Sequence, residues 1–349
     1  MTRSLSRRRF LRRAIALAAA GWAGACGPAD RQIASLPTVA PSTAPPPTVV
    51  PPTAPPPTVV PPTAPPTALP TPASPLQFDG ARAIEHARAQ MQWVPRDTGS
   101  PGWQKCGDYI AAQLKAEGWM VEEQGFAYRG VGCRNIIGKR GAGPRLIVGA
   151  HYDSRRRADQ DPDPARRSLP VPAANDGASG VAVLLELARV VRPEEFGREV
   201  WLAAFDAEDN GELDGWEWTV GSNYLAESLA SAPQAVVVLD MIGDADQQIY
   251  YESNSDGPIK RAIWGIAAEL GYAGFVAEER FAMIDDHTPF LRRGYRAVDI
   301  IDFNYPAWHT TGDTLDKISA ASLVAVGRTI EEWLRRGGPE LAPTYPAPS

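Results

Sequence analysis

The stretch PRLIVGAHYDS, Pro144–Ser154, decides the fold. A short apolar run, Leu146 to Ala150, stops abruptly at His151-Tyr152-Asp153. Such a run suits a strand buried on both faces of a sheet. Three further runs have the same build. EVWLAAFDAED (Glu199–Asp209) ends in Glu208-Asp209, AVVVLDMIGD (Ala235–Asp244) passes through Asp240, and AVDIIDF (Ala297–Phe303) leads to His309.

Helical periodicity fills the intervals between these runs. It predicts helices over 81–93, 103–118, 180–191, 222–229, 259–270 and 320–336, with two more strands in WMVEEQGFAY and CRNIIGKR. Apolar strands alternating with helices imply an α/β domain. The expected build is three layers, α/β/α, around a mixed, mostly parallel central sheet with helices on both faces. In such folds the site lies at the carboxyl ends of the strands.

Those ends carry His151, Glu208, Asp209, Asp240 and His309. Asp176, in PAANDGASG, stands just before the helix beginning near Gly180. Imidazole and carboxylate without thiolate suit zinc in a catalytic site rather than a structural one. Asp153 is placed to steady the His151 ring. Taken singly, each residue has a plainer reading: an Asp after a strand is commonly a helix cap, and Asp176 could cap the helix near Gly180. Five such positions at one edge of one sheet exceed what capping explains. His86, inside the first helix, is read as an ordinary packed histidine.

In this order, AHYDS, NDGASG, FDAED, VLDMIGD and WHTTGDTLDKIS resemble the zinc-dependent aminopeptidase and glutaminyl cyclase family, metallopeptidase family 28, over roughly residues 80–338. The resemblance implies the zinc exopeptidase-like fold. In two-zinc aminopeptidases of the family the matching positions would hold one metal on His151, Asp176 and Asp240. The other would lie on Asp176, Asp209 and His309, with Asp176 bridging and Glu208 as general base. The family's usual Glu-Glu pair is Glu208-Asp209 here, one methylene shorter at the ligand. Members often have a non-proline cis peptide after the bridging Asp, here before Gly177.

Two branches remain open. DDHTPFLRRG (Asp285–Gly294) followed by Trp308-His309-Thr310 is similar to glutaminyl cyclases. That similarity implies a single zinc on Asp176, Asp209 and His309, and a small pocket walled by Trp308. It also implies an acidic network joining Asp240 and Asp285 to the catalytic Glu208. TTGDTLDKIS is equally at home in aminopeptidases, which would use two zincs. Both branches act on a peptide or protein N-terminus. A third possibility, of another class, is a surface lipoprotein that binds peptides without turnover. Tyr305 and Trp216 are further candidates for the substrate pocket, with Trp218 beside them; Trp216 and Trp218 alternatively just pack their loop down.

Residues 1–25 carry six arginines and a short apolar run, too short to span a bilayer and right for a signal-peptide core. Ser6–Leu11 matches the twin-arginine export pattern, and Ala23-Gly24-Ala25-Cys26 resembles a lipobox ending at Cys26. The plainer alternatives are an ordinary secretory signal and simple cleavage. Residues 26–76 contain TAPPPTVVPP twice, at 43–52 and 53–62, and read as a disordered stalk rather than a ligand for proline-binding modules. The catalytic domain is then 77–340, and 341–349 is a tail. Removing residues 1–25 takes the formal charge from −6 to −12, which argues against a nucleic-acid partner. Contact with a membrane is expected only through a lipid on Cys26, giving an exported, anchored, monomeric protein at the cell surface or in the periplasm. Cys106 and Cys133, the two cysteines of the domain, are either disulfide-bonded or two buried thiols.

Overall fold

Alternate residues of the central strands face two different apolar cores, and this places helices on both sides of one sheet. The structure is a computed structural model describing residues 76–340; the signal, the repeats and the tail lie outside the described residues. The chain runs α1 (Gly80–Gln90), α2 (Pro101–Ala116), β1 (Met120–Tyr128), β2 (Val131–Gly141), β3 (Arg145–His151), α3 (Ala178–Val190), β4 (Glu199–Phe205), α4 (Val220–Ser228), β5 (Ala235–Asp240), β6 (Ile249–Glu252), α5 (Gly257–Glu269), β7 (Phe275–Phe281), α6 (Thr288–Arg292), β8 (Ala297–Ile301) and α7 (Ala320–Arg335).

The main sheet has six strands in the order β1-β2-β4-β3-β5-β8. The four inner and far-edge strands β4, β3, β5 and β8 are parallel. The β1–β2 hairpin joins antiparallel at the other edge. Its turn is Arg129-Gly130, with φ of 49° and 80°, the left-handed geometry that two-residue hairpins need. One core gathers Leu146, Val148, Ala150, Val200, Leu202, Val237 and Ile300 against α1, α2, α3, α5 and α7. The opposite core gathers Ile147, Ala203, Phe205, Val236 and Val238 against Leu225 of α4 and Phe290 of α6. This is the three-layer α/β/α build expected from the strand and helix pattern.

Close packing of α3 on the sheet sets the position of Asp176. A Cβ on Gly180 would stand 2.3 Å from the Leu239 carbonyl oxygen and 2.8 Å from Ala150 Cβ. Only glycine lets the first turn of α3 press onto β3 and β5. Asp176 therefore arrives at the ends of those two strands.

Of the two alternatives for the cysteines, the buried thiols hold. Cys106 and Cys133 are both free: Cys106 belongs to the main core, while Cys133 packs with Ala207 and Trp216 in a separate small cluster. Burial pushes their thiols up to about 11 and about 12. The sequence reading lacked the two-stranded parallel ribbon of β6 and β7. Its register shifts twice, and Glu278, Glu279 and Arg280 of β7 are charged and exposed, so neither strand has the alternation or the apolar run that marks a buried strand. His86 is an ordinary packed histidine, with Nδ1 2.7 Å from the Tyr109 hydroxyl.

Candidate active site

Asp176 sits between two buried imidazoles. Its Oδ1 is 3.0 Å from His151 Nε2, and its Oδ2 is 3.6 Å from His309 Nε2. Asp240 Oδ1 lies 3.2 Å from the same His151 nitrogen, and Asp209 Oδ1 lies 2.9 Å from the same His309 nitrogen. Two sets of three donors result, His151-Asp176-Asp240 and Asp176-Asp209-His309, with the ligand atoms of each set within 4.8 Å of one another. Asp176 offers one oxygen to each. It does not cap α3: the N-cap is Gly177, without a side-chain hydrogen bond. The Asp176–Gly177 peptide is cis, as the family resemblance implies. A Cβ on Gly177 would lie 2.4 Å from His151 Nε2, so a side chain there would displace the ring.

The strand ends are shaped for this convergence. Ala173, Ala207, Met241 and His309 all have left-handed backbone, with φ of 65°, 56°, 46° and 55°. Each is at, beside or just before one of the site residues. Non-glycine residues adopt this conformation at a cost of about 1–3 kcal/mol, and they concentrate at functional sites.

The donor sets fit a metal such as zinc. Their chemistry is imidazole and carboxylate, and their spacing suits one ion about 2.0–2.2 Å from each donor. Asp176 Oδ2 and Asp209 Oδ2 are buried with no hydrogen-bond partner. Outer carboxylates face the far nitrogens of both rings: Asp153 Oδ1 is 3.6 Å from His151 Nδ1, and Asp159 Oδ1 is 3.9 Å from His309 Nδ1. Burial alone would lower the His151 pKa, but Asp153, Asp176 and Asp240 hold it well above the ordinary value. Burial and Arg155 push His309 down to about 3, leaving the neutral imidazole that ligates metals.

Asp153 also organises the end of β4. It accepts from the backbone N–H groups of Glu208 and Asp209 at 3.1 and 3.3 Å, and from Thr98 Oγ1 and Asn210 Nδ2 at 3.4 Å. Glu208 is buried, and burial together with the charges of Asp209, Asp286 and Asp285 raises its pKa well above the carboxylate range. Asp240 is pushed up to about 8, by burial first and then by Asp285. The charge of Asp285 thus raises both Glu208 and Asp240.

Trp308 lies against His309, with ring centroids 3.8 Å apart, and Trp218 is stacked on it at 5.9 Å. Tyr305 is almost wholly buried, and its hydroxyl donates to Asp313 Oδ1 at 2.7 Å. Asp313 in turn accepts from the N–H groups of Asn175 and Asp176, at 2.8 and 3.1 Å. Tyr305 thus braces the Asp176 loop instead of facing open space. Trp216 is turned away into the cluster with Cys133 and Ala207, under the Arg156 guanidinium. Of the two tryptophans in that loop, Trp218 is the one at the site.

Sequence reasoning missed Arg155 and Asp159. Arg155 is buried, grips Asp159 through Nε and Nη2 at 2.5 and 3.2 Å, and donates to the Asp209 carbonyl at 2.7 Å. Their i, i+4 spacing in RRRADQD was the available signal, but an arginine run ordinarily reads as a solvated loop.

The sequence profile of peptidase family M28 matches residues 135–334. The chain belongs to this family. Among solved structures it is similar to a glutaminyl cyclase of Bacteroides thetaiotaomicron, determined with N-acetylhistamine bound. That match has 32% identity and a TM-score of 0.71, and covers 75% of this chain and 99% of the other. A glutaminyl-peptide cyclotransferase of the snake Boiga irregularis is 26% identical over 295 residues, 69% of this chain and 77% of its own. Aminopeptidase YwaD of Bacillus subtilis is 26% identical over 272 residues, 71% of this chain but 55% of its own. As an M28 protein the chain has both cyclases and aminopeptidases among its relatives.

Asp153→Asn keeps the shape but places an amide among N–H donors. We expect it to weaken zinc binding about 10–100-fold, measured by competition with a chromogenic chelator. Unchanged affinity would remove Asp153 from the support of the site.

Proposed function

We propose that the protein is a zinc-dependent glutaminyl-peptide cyclotransferase, converting an N-terminal glutamine into pyroglutamate with release of ammonia. The observation that carries this reading is the similarity to a solved bacterial glutaminyl cyclase over 99% of that chain. The site chemistry fits. Asp176, Asp209 and His309 would hold the zinc, which when bound supplies a Lewis acid to polarise the γ-carbonyl of the glutamine. The Glu208 carboxylate takes a proton from the α-amine. The amine nitrogen adds to the γ-carbon, forming the ring C–N bond. Glu208 then returns the proton to the side-chain nitrogen as its bond to carbon breaks, and ammonia leaves. Ring closure is intramolecular, so no external nucleophile is needed. Asp285 and Asp286, beside Glu208, help it hold that proton between the two steps. The Trp308 indole walls the glutamine side chain.

One observation favours a second reading. His151, Asp176 and Asp240 form another complete donor set. A second zinc there would suit an aminopeptidase, in which Glu208 takes a proton from water adding to the first peptide carbonyl. A peptide-binding lipoprotein without turnover leaves Glu208, buried beside a full ligand set, without a use.

We also infer export, from the twin-arginine pattern and the lipobox-like Cys26, both outside the described residues. Among the described residues no helix is long and apolar enough to cross a membrane. The mass of the mature N-terminus separates a lipidated Cys26 from a plainly cleaved one; a retained residue 1–25 segment would contradict both.

Mass spectrometry of Gln-Phe-Ala and Leu-Phe-Ala incubated with the zinc-loaded protein tests the reaction. We expect the first to lose ammonia and the second to persist. Glu208→Gln should lower turnover by at least roughly 10²–10⁴-fold with zinc content unchanged. Release of free leucine or free glutamine would instead establish the aminopeptidase.

A further inference from the structure

A row of half-buried aromatic rings leads away from the site. It starts at Trp308, against His309. Phe303 packs edge-on to Trp308 with centroids 5.1 Å apart, Phe281 packs edge-on to Phe303 at 5.6 Å, and Tyr250 packs edge-on to Phe281 at 6.2 Å. The Arg280 guanidinium lies over Tyr250 at 4.4 Å and closes the far end. All four rings are partly accessible, and Ile284, next to Asp285, is 46% exposed. Water-facing apolar surface next to a catalytic candidate calls for an occupant.

Holding the β6–β7 ribbon in place does not account for these rings. Ile249, Tyr251 and Phe275 are buried in the main core, and Tyr251 and Phe275 each contact Trp264 of α5 at 5.1 Å between centroids. The ribbon is therefore anchored from its other side. Tyr250 and Phe281 look instead toward the loop that carries Trp308. The segment from Phe281 to Asp285 is also fixed in place: Met283 N donates to Glu252 Oε1 at 3.0 Å, and its carbonyl accepts from Asn254 Nδ2 at 3.2 Å. Both walls of the row, 281–284 and 303–308, thus lead to site residues, Asp285 and His309, and the first is held by the buried Glu252.

We propose that Phe303 and Phe281, with Tyr250 packed behind Phe281, form a subsite for the second and third residues of the substrate peptide, selecting aromatic or large aliphatic side chains there. This rests on the reading of the site as one that takes peptide N-termini. The ring-to-ring steps of 5.1 and 5.6 Å are longer than the roughly 3.3–3.6 Å rise of an extended residue, so two residues advance past Phe303 and toward Phe281, short of Tyr250. A peptide whose first side chain lies at Trp308 therefore meets Phe303 with its second side chain and Phe281 with its third. Edge-on contact is also the manner in which a further aromatic side chain would meet these rings, with Arg280 already over Tyr250 and Phe281.

The test separates binding from chemistry. In the zinc-loaded full-length Glu208→Gln background, calorimetry measures Kd for Gln-Phe-Ala, Gln-Gly-Ala and glutaminamide. Gln-Phe-Ala should bind about tenfold more tightly than Gln-Gly-Ala. Adding Phe303→Ala, or separately Phe281→Ala, which removes the ring packed edge-on to Phe303, should bring that ratio below about threefold while leaving glutaminamide binding unchanged. A ratio near one in the background, or a ratio that survives both changes, overturns the subsite. Failure of wild-type protein to release ammonia from glutaminamide would sink the cyclase reading and leave the Kd ratio to judge the subsite on its own.

Discussion

One carboxylate shared by two buried imidazoles organises this protein. Asp176 gives an oxygen to each of two donor sets, and most of the surrounding structure serves to keep it there. Gly180 lets α3 press on the sheet, Gly177 leaves room for the His151 ring, and Asp313, braced by Tyr305, fixes the Asp176 backbone. Burying carboxylates without partners is costly, so an arrangement of this kind persists only where imidazoles, N–H donors and a cation compensate. The two unpartnered oxygens of Asp176 and Asp209 mark where that compensation is incomplete in the protein alone.

Around this centre the labour is divided by strand. β3 ends in His151 and β4 leads into Glu208-Asp209, and Asp153 ties the two together by accepting from the N–H groups of Glu208 and Asp209. β5 brings Asp240. The segment after β8 brings Trp308 and His309, and the segment after β7 brings Asp285. The ligands and Glu208 thus come from the parallel part of the sheet, while the aromatic row comes from the ribbon and the loop after β8. On the proposed reading, chemistry and substrate choice would rest on different elements, which would let one change without the other.

Much of this was legible in the sequence because a parallel strand buried on both faces must be an unbroken apolar run. Where such a run meets a His or Asp, the residue stands at the carboxyl edge. That logic located His151, Asp209, Asp240 and His309 and the α/β/α build, while Asp176 was picked out by its place just before α3. It failed where the deciding contact is long-range and leaves no periodic trace. Arg155 and Asp159 act through one salt bridge inside a basic loop. Trp216 and Trp218 sit two residues apart, yet one packs inward on Cys133 and the other stacks on His309. The β6–β7 ribbon lacks a clean alternation, because one side is core, the other is half-exposed rings, and two bulges break its register. The cysteines could not be paired or separated on spacing, since only the fold places them in different clusters.

The central claim is that Asp176, Asp209 and His309 converge to hold a metal. Diffraction from crystals grown with zinc, collected on both sides of the zinc absorption edge, tests it most directly. We expect an anomalous peak bounded by Asp176, Asp209 and His309. No peak there, with zinc bound elsewhere on the chain, would contradict it.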